Sequence, residues 1–346
     1  MSVAAGELSA RIPASAARDS GATASRGETA RFVLVLAQLA SLLYVFYVFN
    51  IEGPPFFYLA ACCFAGFVIH YTLPARFKQS GFIVISLLSG VVVLTHADPW
   101  VFRGPMHYVE SAGFLVLLLG FGLLILGVLR LPVRFWVRLG VVLLIGGTAA
   151  WLRHRHVLLT EGQWRVLGAI FMFRLILYAY EVKAGRSKEK PGDYLSYFYL
   201  LPNFAYSVFP VFPVIDYATF KKCRVINDVL PTAQRGVAWI VRGTIQIGLY
   251  RLIYHRIAIG PDDVDSFATL CRYVFPSYLM YVHVSGQFHI ITGMLHLFGY
   301  RLPETNRRYL LAESFTDFWR RINIYWKDFM VKCFYYPAYF RLRKRN

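Results

Sequence analysis

Runs of apolar residues as long as a lipid bilayer is thick constrain this chain more than any other feature. Phe32–Phe49, Phe56–Leu73, Ser111–Leu129 and Phe135–Leu152 carry almost no charge, and Gly81–Thr95 and Val166–Tyr180 are shorter runs of the same kind. Less uniform runs follow at Tyr194–Ile215, Val237–Ile253, Phe267–Val284 and Phe288–Phe298. A helix needs ~20 such residues to cross the hydrocarbon core, so the pattern predicts roughly nine or ten embedded segments. Backbone groups inside lipid must be satisfied internally, which makes the expected fold an all-α polytopic helical bundle. Composition agrees, with 57% of the 346 residues hydrophobic and 16% charged.

The net charge of +18 belongs to membrane topology rather than to a nucleic-acid partner, because Arg and Lys gather at span ends. With the N-terminus in the cytoplasm, Arg76/Lys78, Arg130/Arg134 and Lys183/Arg186/Lys188/Lys190 all fall inside. The loop Arg153-His-Arg-His156 is the exception, a basic loop on the opposite side. It is read as interfacial and not as a metal site, since its two arginines repel a cation. Five cysteines without a CxxC spacing indicate neither a disulfide framework nor zinc. No metal or tightly bound cofactor is expected.

Character changes along the chain. Residues 1–30, rich in Ala, Ser and Arg, read as a disordered cytosolic tail; 31–181 as an N-terminal transmembrane scaffold; 182–193 as a charged connector. Residues 194–346 form the functional half. There Pro202, Pro210 and Pro213 interrupt an apolar run, which predicts a broken, re-entrant segment. Arg242, Arg251, Arg272, His283, His289 and His296 enter spans where ionisable groups are costly, so they are expected to face a cavity or the bundle interior. The missing inverted repeat argues against a secondary transporter, and no phosphate loop or nucleophile elbow is present.

The segment Ser314–Phe329 mixes charged and large aromatic side chains at helical spacing. Phe315, Phe318, Trp319, Ile322, Trp326, Phe329 and Met330 share one stripe of an amphipathic helix. Ser314 and Asp317 suit a capping box, while Asp317–Arg321 and Asp328–Lys332 are spaced for i,i+4 pairs.

Tyr300-Arg-Leu-Pro-Glu-Thr-Asn306, then Ser314-Phe-Thr-Asp-Phe-Trp-Arg-Arg-Ile-Asn323 and Trp326-Lys-Asp-Phe329 resemble the signature region of the membrane-bound O-acyltransferases, the MBOAT family. The resemblance is closest to the bacterial branch that acylates envelope polysaccharides, is strong over 285–340, and is weaker over 199–220. Asn323 stands where the bacterial members carry His. The resemblance implies a multi-pass protein of a bacterial inner membrane that moves an acyl group from a thioester, acyl-CoA or an acyl carrier protein, to a hydroxyl of a cell-envelope glycan or lipid. Asn323 would then be the catalytic-site residue, and Asp317, Trp319, Arg320, Arg321, Trp326, Lys327 and Asp328 would bind substrate. The family's base is a His on a further apolar helix. The chain ends at Phe340-Arg-Leu-Arg-Lys-Arg-Asn346, before that helix would begin, so the expectation is a core incomplete at its C-terminus. His289 and His296 are the substitutes within reach, seven residues apart on one helix face. The alternative is a catalytically inactive membrane scaffold or partner subunit of the same type.

The charge bias generates a topology test. Reporter fusions after residue 78 and after residue 188 should both report cytoplasm, and a signal from the far side for either would overturn the orientation.

Overall fold

The computed structural model describes residues 14–96, 105–155, 157–183, 185, 190–205, 215–226 and 229–343, with side chains from residue 27 onward. Long helices dominate it: α1 (Ala14–Val48), α2 (Pro54–Thr72), α3 (Lys78–Thr95), α4 (Pro105–Arg130), α5 (Phe135–His154), α6 (Glu161–Lys183), α9 (Val229–Ile257) and α10 (Phe267–Leu297). Short helices α7 (Pro191–Phe198), α8 (Tyr217–Lys222), α11 (Phe315–Ile322), α12 (Ile324–Met330) and α13 (Tyr336–Arg343) fill the remainder. No strand occurs among the described residues, and the chain is an all-α bundle.

Among the described residues five helices are long and apolar enough to cross a membrane: Gly27–Val48 within α1, α2, the Ala75–Thr95 stretch containing α3, Met106–Arg130 within α4, and α5. That is fewer than the nine or ten expected. Helices α6, α9 and α10 have the length, but α6 and α9 carry several charged side chains and α10 is interrupted by histidines, Ser285 and Gln287. Helix α1 already begins at Ala14, so the later part of the segment read as a disordered tail is helical. Of the proline-rich segment, Pro202 opens a buried 3₁₀ turn, Leu201–Phe204, whereas Pro210 and Pro213 lie outside the described residues. Residues 184 and 186–189 of the 182–193 connector lie outside them too.

One apolar core runs through scaffold and functional half alike, from Val35 and Phe67 through Tyr194 and Phe198 to Ile290 and Tyr325. Buried Arg174 ties its two parts together. Its Nη1 donates to the Tyr197 carbonyl at 2.9 Å and its Nη2 to the Ala169 carbonyl at 3.0 Å, so α6 holds the end of α7. A charge fully withdrawn from water is tolerated only with such partners.

The tightest packing is the antiparallel crossing of α9 and α10. Gly236 faces Gly293, and Gly243 faces Gly286. A Cβ at Gly243 would lie 2.4 Å from the Gly286 carbonyl oxygen, and one at Gly293 would lie 2.6 Å from that of Gly236. Only glycine allows two helix backbones to come so close, and close approach is the main attraction available where lipid is as apolar as leucine. At the end of α10 the chain reverses through Gly299 at φ 81°, a conformation that L side chains avoid. The next residues cross to the segment after α8, with Val225 N–H donating to the Gly299 carbonyl at 2.7 Å and Arg301 N–H to that of Cys223 at 2.8 Å.

The crossing predicts an asymmetric response to mutation. Gly293→Leu should lower the thermal midpoint of the detergent-solubilised chain markedly, since overpacking costs about 1–3 kcal/mol or more. Gly248→Ala, on the same helix pair but with open space around its Cβ position, should leave the midpoint unchanged or raise it slightly. Equal loss at both positions would contradict this account of the crossing.

Candidate functional site

The residues singled out in Ser314–Phe329 do not form one helix. Helix α11 ends at Ile322, Asn323 adopts φ −145° and ψ 87°, and α12 starts at Ile324. Two backbone bonds leave the helical pattern here: Ile324 N–H donates to the Thr305 carbonyl at 3.0 Å, and Arg307 N–H donates to the Arg321 carbonyl at 2.9 Å. The turn after Pro303 is thereby stitched across the break. Asn323 Oδ1 accepts from Trp326 N–H at 3.0 Å and caps α12. Its amide oxygen is engaged in holding backbone, as asparagine commonly is at a helix start.

The break sends the two halves to different neighbours. Phe318 packs among Tyr278, Tyr281 and Tyr309 on the side of α10. Trp319 and Arg320 are exposed. Asp317 and Arg321 pair at 2.7 Å, and that hydrogen bond holds the Asp317 carboxyl below the usual carboxylate range. Half of the capping box forms, through Ser314 Oγ accepting from Asp317 N–H at 3.1 Å. In α12, Trp326 and Phe329 close on Phe173 of α6. Asp328 pairs with Lys327 at 2.9 Å and not with Lys332. Lys332 instead reaches Glu181 at 3.3 Å and Asp216 at 3.7 Å, beside a cavity of about 100 Å³ lined by Tyr325, Thr219 and Asp328. The predicted set is thus divided between two faces.

The buried polar chemistry lies on the other side of the same turn, where α9 and α10 cross. His289 and His296 both point inward against Trp239, each ring 5.3 Å from the indole, in keeping with their shared face. His289 Nδ1 stands 2.7 Å from Gln246 Oε1. Gln246 Nε2 donates to Ser285 Oγ at 3.3 Å, and Asn306 Nδ2 donates to the same oxygen at 2.8 Å. His296 Nε2 lies 3.3 Å from the Leu302 carbonyl. One turn away, Glu52 from the α1–α2 loop holds His283, and its other oxygen accepts from Gln287 Nε2 at 3.0 Å. Arg242 and Arg272, expected inside, are exposed; Arg251 donates to the carbonyls of Phe49 and Asn50.

The network fixes the state of His289. Gln246 offers Nδ1 a carbonyl oxygen, which can only accept, so Nδ1 carries the ring proton and Nε2 keeps its lone pair. On α10 and in the turn after it, Asn306 Oδ1, Gln287 Oε1 and Thr292 Oγ1 are buried and unpartnered among the described residues. Buried polar atoms are nearly always satisfied, so a group of unsatisfied ones marks where a polar guest would sit. Gln246, Glu52 and Trp239 went unnoticed in the sequence, and Asn306 stood out only as the end of the Tyr300–Asn306 motif. Gly236/Gly243 and Gly286/Gly293, each pair seven apart, are the signal that could have found them.

Comparison with known proteins finds no matching family model, no matching curated protein and no matching solved structure.

A capping role for Asn323 has a measurable signature. Asn323→Ala should cost about 1 kcal/mol of stability, read as a lowered unfolding midpoint, while Asn323→Asp, which keeps an acceptor at that place, should cost little. Equal destabilisation by both substitutions would remove the cap from the argument.

Proposed function

We propose that the chain is a membrane-embedded O-acyltransferase of the MBOAT type, with His289 as the general base. The donor is an acyl thioester, acyl-CoA or an acylated carrier protein, and the acceptor is a hydroxyl of an envelope glycan or lipid. The observation that carries the reading is the buried His289 at the α9–α10 crossing, its Nδ1 tied to Gln246 and through Ser285 linked to Asn306, whose Oδ1 is buried and unpartnered among the described residues. Attack of an alcohol on a thioester needs a group that takes the hydroxyl proton as the new bond forms, and a neutral imidazole suits that task.

In this reading the acceptor O–H gives its proton to His289 Nε2 while its oxygen adds to the thioester carbonyl. The C–S bond then breaks, and the departing thiolate recovers the proton from the imidazolium. Gln246 holds the tautomer, Ser285 Oγ accepts from Gln246, and Asn306 donates to the same Ser285 oxygen. The signature turn contributes through Asn306, which reaches into the crossing from the segment stitched onto the break at Asn323. Asn323 itself is a positioning residue here, not the base.

A second reading has a specific observation in its favour. With Asn323 occupied in capping and Asp317 and Arg321 engaged with each other, the signature segment is also suited to a catalytically silent scaffold or partner subunit.

Thiol release by the purified full chain separates the two. In vesicles of its native lipids with the native envelope glycan and acetyl-CoA or palmitoyl-CoA, wild type should release coenzyme A thiol. His289→Gln should lower the rate about 10²–10⁴-fold, with the melting midpoint retained. Undiminished turnover in His289→Gln would exclude it as base, and no turnover by folded wild type with either donor would favour the scaffold.

A further inference from the structure

We infer that the cleft between α4, α5 and α6 is a binding site for one anionic diacyl phospholipid, separate from the His289 cluster. Helix α5 is barely attached to the bundle: among its side chains only Val142 is buried. Between it and its neighbours lies a cavity of about 380 Å³, lined by Leu117, Phe121, Leu144, Leu152, Trp164 and Leu167. That volume falls within the ~300–1,000 Å³ of small-molecule sites. Gly146 and Gly147 do not bring helices together here, because a Cβ at either would meet open space. The small side chains leave a gap the width of a hydrocarbon chain instead of closing a helix contact.

Two independent features identify the occupant. Trp164 lines the cleft and is only 6% exposed, yet its indole N–H is buried without an acceptor among the described residues. An indole N–H can only donate, so the missing partner is an acceptor such as the ester carbonyl of a glycerolipid. The second feature is charge. Arg153 and Arg155 end helix α5 at the same mouth, and Arg165 stands one residue beyond Trp164. Glu161 meets Arg153 at 3.7 Å and its carbonyl accepts from Arg165 Nε at 3.3 Å, which leaves an excess of positive charge. Leu158, exposed and held at φ 73°, completes the mouth. This is the basic loop that breaks the positive-inside pattern, and a bound phosphate gives it a reason to be there. The acyl chain lies along Leu144–Leu152, the ester on Trp164 and the phosphate at the arginines.

Native mass spectrometry of the full chain tests this with phosphatidylglycerol and phosphatidylcholine of identical chains. Wild type should retain phosphatidylglycerol over phosphatidylcholine by about fivefold or more for each arginine engaged. The double variant Arg153→Gln/Arg155→Gln, at the exposed end of α5, should lose the preference, and Ala149→Phe, at a residue that lines the cleft, should fill it and lose retention of both lipids. Equal retention of the two lipids by wild type would overturn the proposal. Unchanged preference in the double variant, or unchanged retention in folded Ala149→Phe, would do the same.

Discussion

Everything functional in this molecule depends on how closely α9 and α10 approach each other. Four glycines, Gly236 and Gly243 on one helix and Gly286 and Gly293 on the other, leave each backbone carbonyl where the partner's Cβ would have been. With the helices so near, side chains beside the crossing cannot avoid each other. Gln246 on α9 meets Ser285 and His289 on α10, and Trp239 lies against both inward histidines. Close backbone contact and interhelical hydrogen bonds supply attraction across the crossing. The crossing is therefore both the structural joint and the frame that sets the tautomer of His289.

The turn after α10 carries that geometry outward. Gly299 reverses the chain, Arg301 pairs back toward Cys223, and Thr305–Arg307 stitches onto the break at Asn323. Asn306 faces the opposite way, toward Ser285. The signature segment thus acts on the crossing through backbone bonds and one amide, while its own charged side chains face outward. Nothing in that arrangement requires Asn323 to touch a substrate.

The first five apolar runs were legible because length and lack of charge alone decide that a helix can span lipid, and α1 to α5 follow them closely. The amphipathic stripe of Ser314–Phe329 misled for a physical reason. Periodicity reports what a helix would bury, but the break at Asn323 comes from hydrogen bonds with Thr305 and Arg307, distant in sequence. The expected Asp328–Lys332 pair failed because Glu181 and Asp216 offer Lys332 less exposed partners. His289 and His296 were visible as polar residues on one helix face. Their partners were not, since Gln246 and Asn306 come from other elements and only a glycine-set crossing brings them near. Buried Arg174 was invisible as well, because the carbonyls that hold it depend on where α7 ends.

The claim that the crossing prepares His289 as a base is tested most directly by its imidazole nitrogens. With ¹⁵N-histidine-labelled chain in lipid nanodiscs at neutral pH, and the His289 signal assigned by its loss in His289→Gln, the account predicts a neutral ring. Nδ1 should be protonated and Nε2 bare, and Gln246→Leu should scramble that tautomer. A ring protonated on Nε2, or one carrying both protons, would contradict it.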